Sequence, residues 1–344
     1  MAGPIELKPG ERILIGYFEH LTELILAIPL IETLKKRYPE NRFEVLTSEG
    51  FTALCKNIKH LDNVVTLDST RLRNDEDYRD EILNKINEQY YQVAIVIYPN
   101  KEVGRLLYEA GILYRIGSGK RFHSIYFDRH IFHNREDNRK HESEYNLDYL
   151  KFFRQGVLFK IPKLDIYNRE LDEARRLLTL DGISGEFIIL HPIGADADTG
   201  AGAGDRWPLD QFIELADLFN KKDRLVLMTG TAEEGTLINQ AASNYGIRVH
   251  TYAGKTDLLV LAALFSMARA VVTNAGGPLH LAAAVGTKAI GIYPSEQQLS
   301  SVRWQPLGED NHFIQPYPDS SIETINVEEV ARVVLNSMNK VKAE

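Results

Sequence analysis

The stretch from Ala268 to Pro294, ARAVVTNAGGPLHLAAAVGTKAIGIYP, constrains the fold more than any other part of the chain. Residues 271–273 are an apolar β-branched run, 274–277 a turn, 279–285 good helix formers, and 288–293 a second strand. Pro278 falls where the helix begins; its φ is already set and its missing N–H leaves nothing unpaired. The order strand, glycine turn, helix, strand is that of a parallel α/β sheet. Gly276 and Gly277 let the backbone come close to a ligand, and the N–H groups of Gly277, Leu279 and His280 are expected to face it. Such a helix start is an anion site, and in a parallel sheet the usual anion is a phosphate. The same turn also serves as a plain strand-to-helix corner.

The rest of the chain repeats the alternation. Strands are expected over 12–16, 42–46, 63–67 and 93–98, with helices over 22–37 and 77–88. A second series follows: helix 170–179, strand 187–191, helix 209–220, strand 224–229, helix 233–245, strand 248–250, helix 257–267, then the 268–294 unit and a last helix over 327–341. Short continuous apolar strands alternating with helices make parallel sheets covered on both faces. Between 118 and 144 the chain is polar and rich in Arg, Lys, His and Asn, which reads as a long functional loop with a short strand or two. Residues 145–154 read as helical. The fold class is α/β, with two doubly wound Rossmann-like domains facing a cleft: 1–160 and 168–325, joined by a linker over 160–167, and followed by 326–344.

A length of 344 residues supplies ample core for two domains. The formal net charge of −8 argues against a nucleic-acid-binding surface. Cys55 is the only cysteine, so an internal disulfide is excluded and the cytosol is the natural compartment. Cys55 itself reads as a small core residue. The N-terminus lacks a basic segment followed by an apolar one, so no signal peptide is expected. The apolar stretches 24–31 and 258–272 are too short or too interrupted to span a bilayer, which confines any membrane role to the periphery.

Several segments carry a family likeness. TNAGGPLHLAAAVGTKAIGIYP resembles the TNDTGPMHLAAALGTP-type signature of the bacterial heptosyltransferases, glycosyltransferase family 9. RILIGYFEHLTELILAIPLIETLKKRYP resembles the family's first strand, catalytic loop and first helix, and YRIGSGKRFH its basic segment after RIG. KHESEYNLDYL, HPIG…DRWPLDQFIELADLF and GTAEE resemble further segments in the same order, as does YAGKTDLLVLAALFSMARAVVTN before the signature. The resemblance implies a glycosyltransferase B fold whose last helix packs back toward the N-terminal domain. It implies an inverting, metal-independent sugar transfer from a nucleotide-activated donor, ADP-linked, to an anionic glycan or lipid-linked acceptor such as lipopolysaccharide core. No cofactor is needed. The implied place is cytoplasmic, with a peripheral role at the inner face of the bacterial inner membrane.

Carried over residue by residue, Glu23 falls on the family's catalytic aspartate. A carboxylate there takes the acceptor hydroxyl's proton, and His20 is the reserve base. A helix-capping role for Glu23 competes with this, since negative charge stabilises a helix start. For the nucleotide sugar the resemblance implies Thr199 and Arg206 in the glycine-rich 193–208 loop. It adds Gly230, Glu233 and Glu234 at the family's GGPEE position, and Asn274, Gly276, Gly277, Pro278, Leu279 and His280 in the signature. For the acceptor it implies Arg115, Lys120, Arg121 and His123, basic groups suited to carboxylates and phosphates. Asp196 and Asp198 lack a third ligand, and no metal site is assigned.

Four positions depart from the family pattern: Tyr17 for an Arg, Glu23 for Asp, Asp205 for Lys and Ala275 for Asp. They keep two other classes open. One is a non-catalytic relative that binds a nucleotide sugar or glycan. The other is a nucleotide-sugar epimerase or hydrolase on the same scaffold.

Overall fold

The computed structural model describes residues 3–120, 122–154, 156, 160–193, 205–296 and 299–339. The chain divides into two compact units, Met1–Lys160 and Ile161–Glu344. In the first, the strands are β1 (Arg12–Phe18), β2 (Arg42–Thr47), β3 (Asn63–Thr66), β4 (Tyr91–Ile95), β5 (Tyr114–Ser118) and β6 (Arg129–Ile131). They lie in the order β3-β2-β1-β4-β5-β6, all parallel. In the second, β7 (Phe187–His191), β8 (Leu225–Met228), β9 (His250–Thr251), β10 (Ala270–Asn274), β11 (Ala289–Ile292) and β12 (His312–Ile314) lie in the order β12-β11-β10-β7-β8-β9, again all parallel. Both sheets are doubly wound, as the alternation of strand and helix predicts.

This topology dictates where ligands can bind. In each sheet the chain steps outward in one direction, returns to the middle, and steps outward in the other. The reversal falls between β1 and β4 in the first unit and between β7 and β10 in the second. Loops leaving the carboxyl ends of those strands diverge and open a crevice. The loops at issue are 19–20 and 96–100 in one unit, and those after His191 and Asn274 in the other.

The cores follow from burial on both faces. All five residues of β7 and all five of β10 are buried. Phe212, Ile213, Ala216 and Phe219 of helix Leu209–Asn220 pack over them, together with Val330, Val334 and Met338 of helix Val327–Asn339. That last helix lies against helix Leu209–Asn220 and β10 and contributes to the second unit's core. Cys55 is fully buried, and burial pushes its thiol up to about 12. Among the described residues no helix is long and apolar enough to cross a membrane.

Two regions differ from expectation. The 118–144 stretch carries a short strand as expected, β6, and beyond it a 3-10 turn Phe122–Tyr126, a second turn Arg135–Asp137 and the start of helix Glu142–Leu147. Two backbone bonds tie β6 in, Gly119 N–H to the Ile131 carbonyl and Asp128 N–H to the Arg115 carbonyl. The helix read over 145–154 is an α-helix only to Leu147. It continues as 3-10 turns over Asp148–Phe153 and stops at Arg154, whose φ is 51°.

Candidate functional site

In the second unit the signature builds the corner beside the β7–β10 reversal. Gly276, with φ 156° and ψ −168°, occupies backbone space essentially reserved for glycine, and it turns the chain from β10 into helix Gly277–Ala284. The corner is closed more tightly than the sequence suggests. The N–H groups of Leu279 and His280 donate to the Gly276 carbonyl at 3.1 and 3.5 Å, and both residues are buried. These two bonds close the first helical turn on the Gly276 carbonyl. Gly277 and Pro278 are buried too, and Ala275 is the one half-exposed residue of the corner.

Asn274, expected among the donor contacts, has an internal task. It is 2% exposed. Its Nδ2 donates to the Pro192 carbonyl at 2.6 Å and the Trp207 carbonyl at 3.3 Å, while its Oδ1 accepts from the Trp207 N–H at 2.9 Å. One carboxamide thereby holds both ends of the 193–206 segment against β10. The Trp207 indole donates to the Ile325 carbonyl at 2.9 Å, which fixes the ring in the core. Thr199, Asp196 and Asp198 lie outside the described residues.

Next to this corner the ends of β7, β8 and β9 gather polar groups. Thr231 and Glu234 form a capping box on helix Ala232–Asn244: the Thr231 N–H donates to Glu234 Oε2 at 2.7 Å, and the Glu234 N–H to Thr231 Oγ1 at 3.2 Å. The Glu234 carboxylate folds over Gly230, where a Cβ would come within 2.5 Å of Oε2. Burial raises the Glu234 pKa, opposed by the Thr231 N–H and the charge of Arg206. Burial likewise lowers that of Arg206, and Glu234 opposes the shift. Arg206 and Glu234 are both half-buried and feel each other's charge, whereas Glu233 is exposed. The Gly254 N–H donates to the Gly230 carbonyl at 2.9 Å, joining the loops after β8 and β9. A groove of about 500 Å³ runs beside Arg206, lined also by Pro192, Ile193, Trp207, Pro208 and Gln240. Beneath it His191, buried at the end of β7, has Nδ1 2.9 Å from Thr229 Oγ1, and burial depresses its pKa to about 4.

In the first unit, Glu23 is the only residue of 21–31 that is not buried. It stands in the first turn of helix Leu21–Arg37, and its Oε2 accepts from the Glu19 N–H at 3.3 Å. Its negative charge in the first turn favours the helix start, as the capping reading expects. His20 occupies the N-cap position with extended backbone, and its side chain does not cap the helix. Tyr17, at 3% exposure, is a core residue whose phenolic oxygen accepts from the Ser69 N–H at 3.3 Å.

Sequence reasoning missed what lies beside Glu23. Arg135 Nε sits 3.0 Å from Glu142 Oε1, and the Glu142 side chain is 0% exposed. The guanidinium lies 5.4 Å from the Tyr98 ring centre and 5.8 Å from that of Tyr145. Burial disfavours the Arg135 cation, but Glu142, Tyr149, Tyr98 and Glu23 outweigh it and hold its pKa above the usual value. Asn146 Nδ2 donates to the Tyr98 hydroxyl and to the Leu26 carbonyl, both at 3.1 Å, pinning this cluster to the first helix. The signal available in the sequence was Glu142 itself, an acid at the start of a short helix.

The basic segment departs from expectation. Arg115 is spent within the fold: its Nε donates to the Tyr126 carbonyl at 2.7 Å, its Nη1 to the Ile112 carbonyl, and its Nη2 pairs with Asp128 at 2.9 Å. It lies in β5 and braces β6, with its side chain 12% exposed. Lys120 is exposed and donates to Asn134 Oδ1 at 2.7 Å. Arg121 and the His123 side chain lie outside the described residues. Among the described residues, no three His, Cys, Asp or Glu side chains gather as a metal site.

Two units of doubly wound parallel sheet define a pair of Rossmann-like domains. Residues 79–324 match the model of glycosyltransferase family 9 (heptosyltransferase), and the chain belongs to that family. It is a glycosyltransferase. A lipooligosaccharide heptosyltransferase 2 of Campylobacter jejuni is 23% identical over 298 residues, covering 86% of this chain and 84% of that one. The crystal structure of a family 9 glycosyltransferase from Veillonella parvula matches with a TM-score of 0.84 at 16% identity, over 99% of this chain and 100% of that one. The ADP-heptose lipopolysaccharide heptosyltransferase II of E. coli matches with a TM-score of 0.77 at 17% identity, over 95% and 98%. The fold is the two-domain α/β fold of these enzymes.

Proposed function

We propose that this chain transfers heptose, or a closely related sugar, from an ADP-linked donor to an anionic glycan acceptor of the lipopolysaccharide-core type, with inversion and without a metal. The observation that carries the reading is the half-buried Glu234 carboxylate folded over Gly230 after β8, with the half-buried Arg206 lining the groove nearby. A partly desolvated carboxylate there suits ribose hydroxyls, and the neighbouring cation suits a diphosphate. Gly276 gives the backbone of the same corner its close approach.

In the first unit Glu23 supplies the base. As the acceptor hydroxyl oxygen bonds to the anomeric carbon, its proton passes to the Glu23 carboxylate. The bond from that carbon to the diphosphate breaks, and its electron pair leaves on ADP. Arg206 offsets the charge that develops there, in the place a metal would otherwise take. Attack from the side opposite the leaving group inverts the anomeric centre.

The test is release of ADP from ADP-heptose in the presence of a lipopolysaccharide-core acceptor, with and without EDTA, for the wild type and Glu23→Gln. Acceptor-dependent release that survives EDTA and falls in the variant supports the reading. Activity lost in EDTA and restored by Mg²⁺ overturns the metal-independent part. A second reading, a relative that binds without turnover, is favoured by Ala275 at the half-exposed position of the corner, where the family pattern has an Asp. ADP binding with no turnover of any acceptor would establish it.

A further inference from the structure

The outer edge of the first sheet carries a strip of exposed apolar side chains that none of the expected site residues accounts for. Ile125 is 75% exposed, Phe132 70% and Tyr108 52%. They form one surface and not three scattered residues. The Tyr108 and Tyr126 ring centres are 5.8 Å apart. Next along the turn, Ser124 offers its carbonyl to His130 Nε2 at 3.0 Å, and the His130 ring is 6.3 Å from that of Phe132. The Phe132 ring lies over Gly119, so it has a fixed seat. Exposed apolar groups gathered this way mark an interaction surface.

Charge and shape select the partner. Lys120 is exposed, and the Arg129 guanidinium lies 5.7 Å from the Tyr114 ring centre, as amphipathic side chains do when their stems lie along apolar surface. The acid in the strip, Asp128, is paired with Arg115. Glu136 and Asp137 follow on the next turn, beyond the strip. In a chain of net charge −8, this edge combines cations with apolar tips. Sheet extension by another chain is disfavoured, because β6 has only three residues and two of them are Arg129 and His130.

We propose that this edge docks on an anionic lipid surface, with Ile125 and Phe132 entering the headgroup boundary and Lys120 and Arg129 meeting lipid phosphates. Interfacial binding of this kind sums buried apolar area and electrostatic attraction, each cation contributing about fivefold. The inference stands on these side chains alone and is independent of the proposed donor and acceptor.

The test is co-sedimentation of the full chain with phosphatidylethanolamine vesicles, with and without phosphatidylglycerol. The wild type should bind the anionic vesicles, bind the neutral ones more weakly, and release in high salt. The double change Ile125→Ser, Phe132→Ser should lower affinity at least about tenfold, and Lys120→Gln, Arg129→Gln should remove most of the preference for phosphatidylglycerol. Thermal unfolding followed by circular dichroism checks that the variants fold, and the single change Ile125→Glu, at the most exposed position, serves if the double one does not. Wild-type protein that ignores anionic vesicles, or variants that bind as well as wild type, would overturn the proposal. So would a concentration-dependent dimer that these substitutions dissolve, since the strip would then be a protein interface.

Discussion

Replacing Asn274 with Asp exchanges an amide for a carboxylate of the same shape and puts the clasp on the 193–206 segment to a quantitative test. The Trp207 N–H keeps its acceptor. The Pro192 and Trp207 carbonyls, now 2.6 and 3.3 Å from a donor, would face another acceptor. Two lost hydrogen bonds cost about 1 kcal/mol each, and the two carbonyls left in a site 2% exposed add a desolvation penalty. An uncompensated buried charge brings the total to about 3–5 kcal/mol at pH 7. Both tryptophans, Trp207 and Trp304, belong to the second unit, so tryptophan fluorescence in a urea titration reads that unit's unfolding. Burial raises the folded pKa of the new carboxyl above its unfolded value near ~3.9. The deficit is therefore complete above the folded pKa, and it narrows as the pH falls through that value toward ~4. A loss below about 1 kcal/mol at pH 7, or a deficit that does not change with pH, would refute the hydrogen-bond account of this residue.

Four further outcomes are expected. His191 is held neutral by burial, with a folded pKa of about 4 against ~6.5 unfolded, so its contribution is full above ~6.5 and is lost as the pH falls toward 4, by up to about 1.4 kcal/mol per pH unit; the wild type should show this slope in fluorescence-detected unfolding and His191→Gln should lack it. Glu142→Gln leaves Arg135 without its buried counter-charge and should cost about 3–5 kcal/mol of local stability, read as faster amide exchange in Glu142–Leu147, with Arg135→Met added to it restoring part of the loss. Glu23→Gln should lower kcat by about 10²–10⁴-fold while calorimetry finds ADP affinity unchanged, whereas a pure helix cap would cost on the order of 1 kcal/mol of stability and little activity. Gly230→Ala drives a methyl against Glu234 Oε2 and should weaken ADP binding with little change in the unfolding midpoint of the second unit.

The fold was legible wherever burial imposes a period. Strand Phe187–His191 and helix Leu209–Asn220 have the bounds their patterns predict, because one is apolar throughout and the other amphipathic. Strand β12 escaped because three residues at a sheet edge carry too short a pattern. Helix Lys101–Glu109 escaped for a different reason: its start depends on an Asn100 cap, and half its surface is polar. In the site, charge was easier to read than direction. Arg206 and Glu234 could be named from their neighbours in sequence, but nothing local says that Arg115 turns back on Asp128 or that Asn274 reaches Trp207, 67 positions away. The Arg135–Glu142 pair was hidden for the same reason, since partners from separate turns meet only once the sheet has formed.

The clasp at Asn274 also bears on how such a chain can change over time. Because Pro192 and Trp207 are fastened to one side chain, the two ends of the intervening segment stay at a set separation whatever lies between them. The entropic cost of closing a chain between two fixed anchors grows slowly with its length, by about 0.6 kcal/mol per doubling. The anchors Pro192 and Trp207 are therefore a frame between which sequence can be inserted, deleted or rewritten with little disturbance to β7 and β10. Recognition chemistry can diverge there along a lineage while the sheet stays as it is.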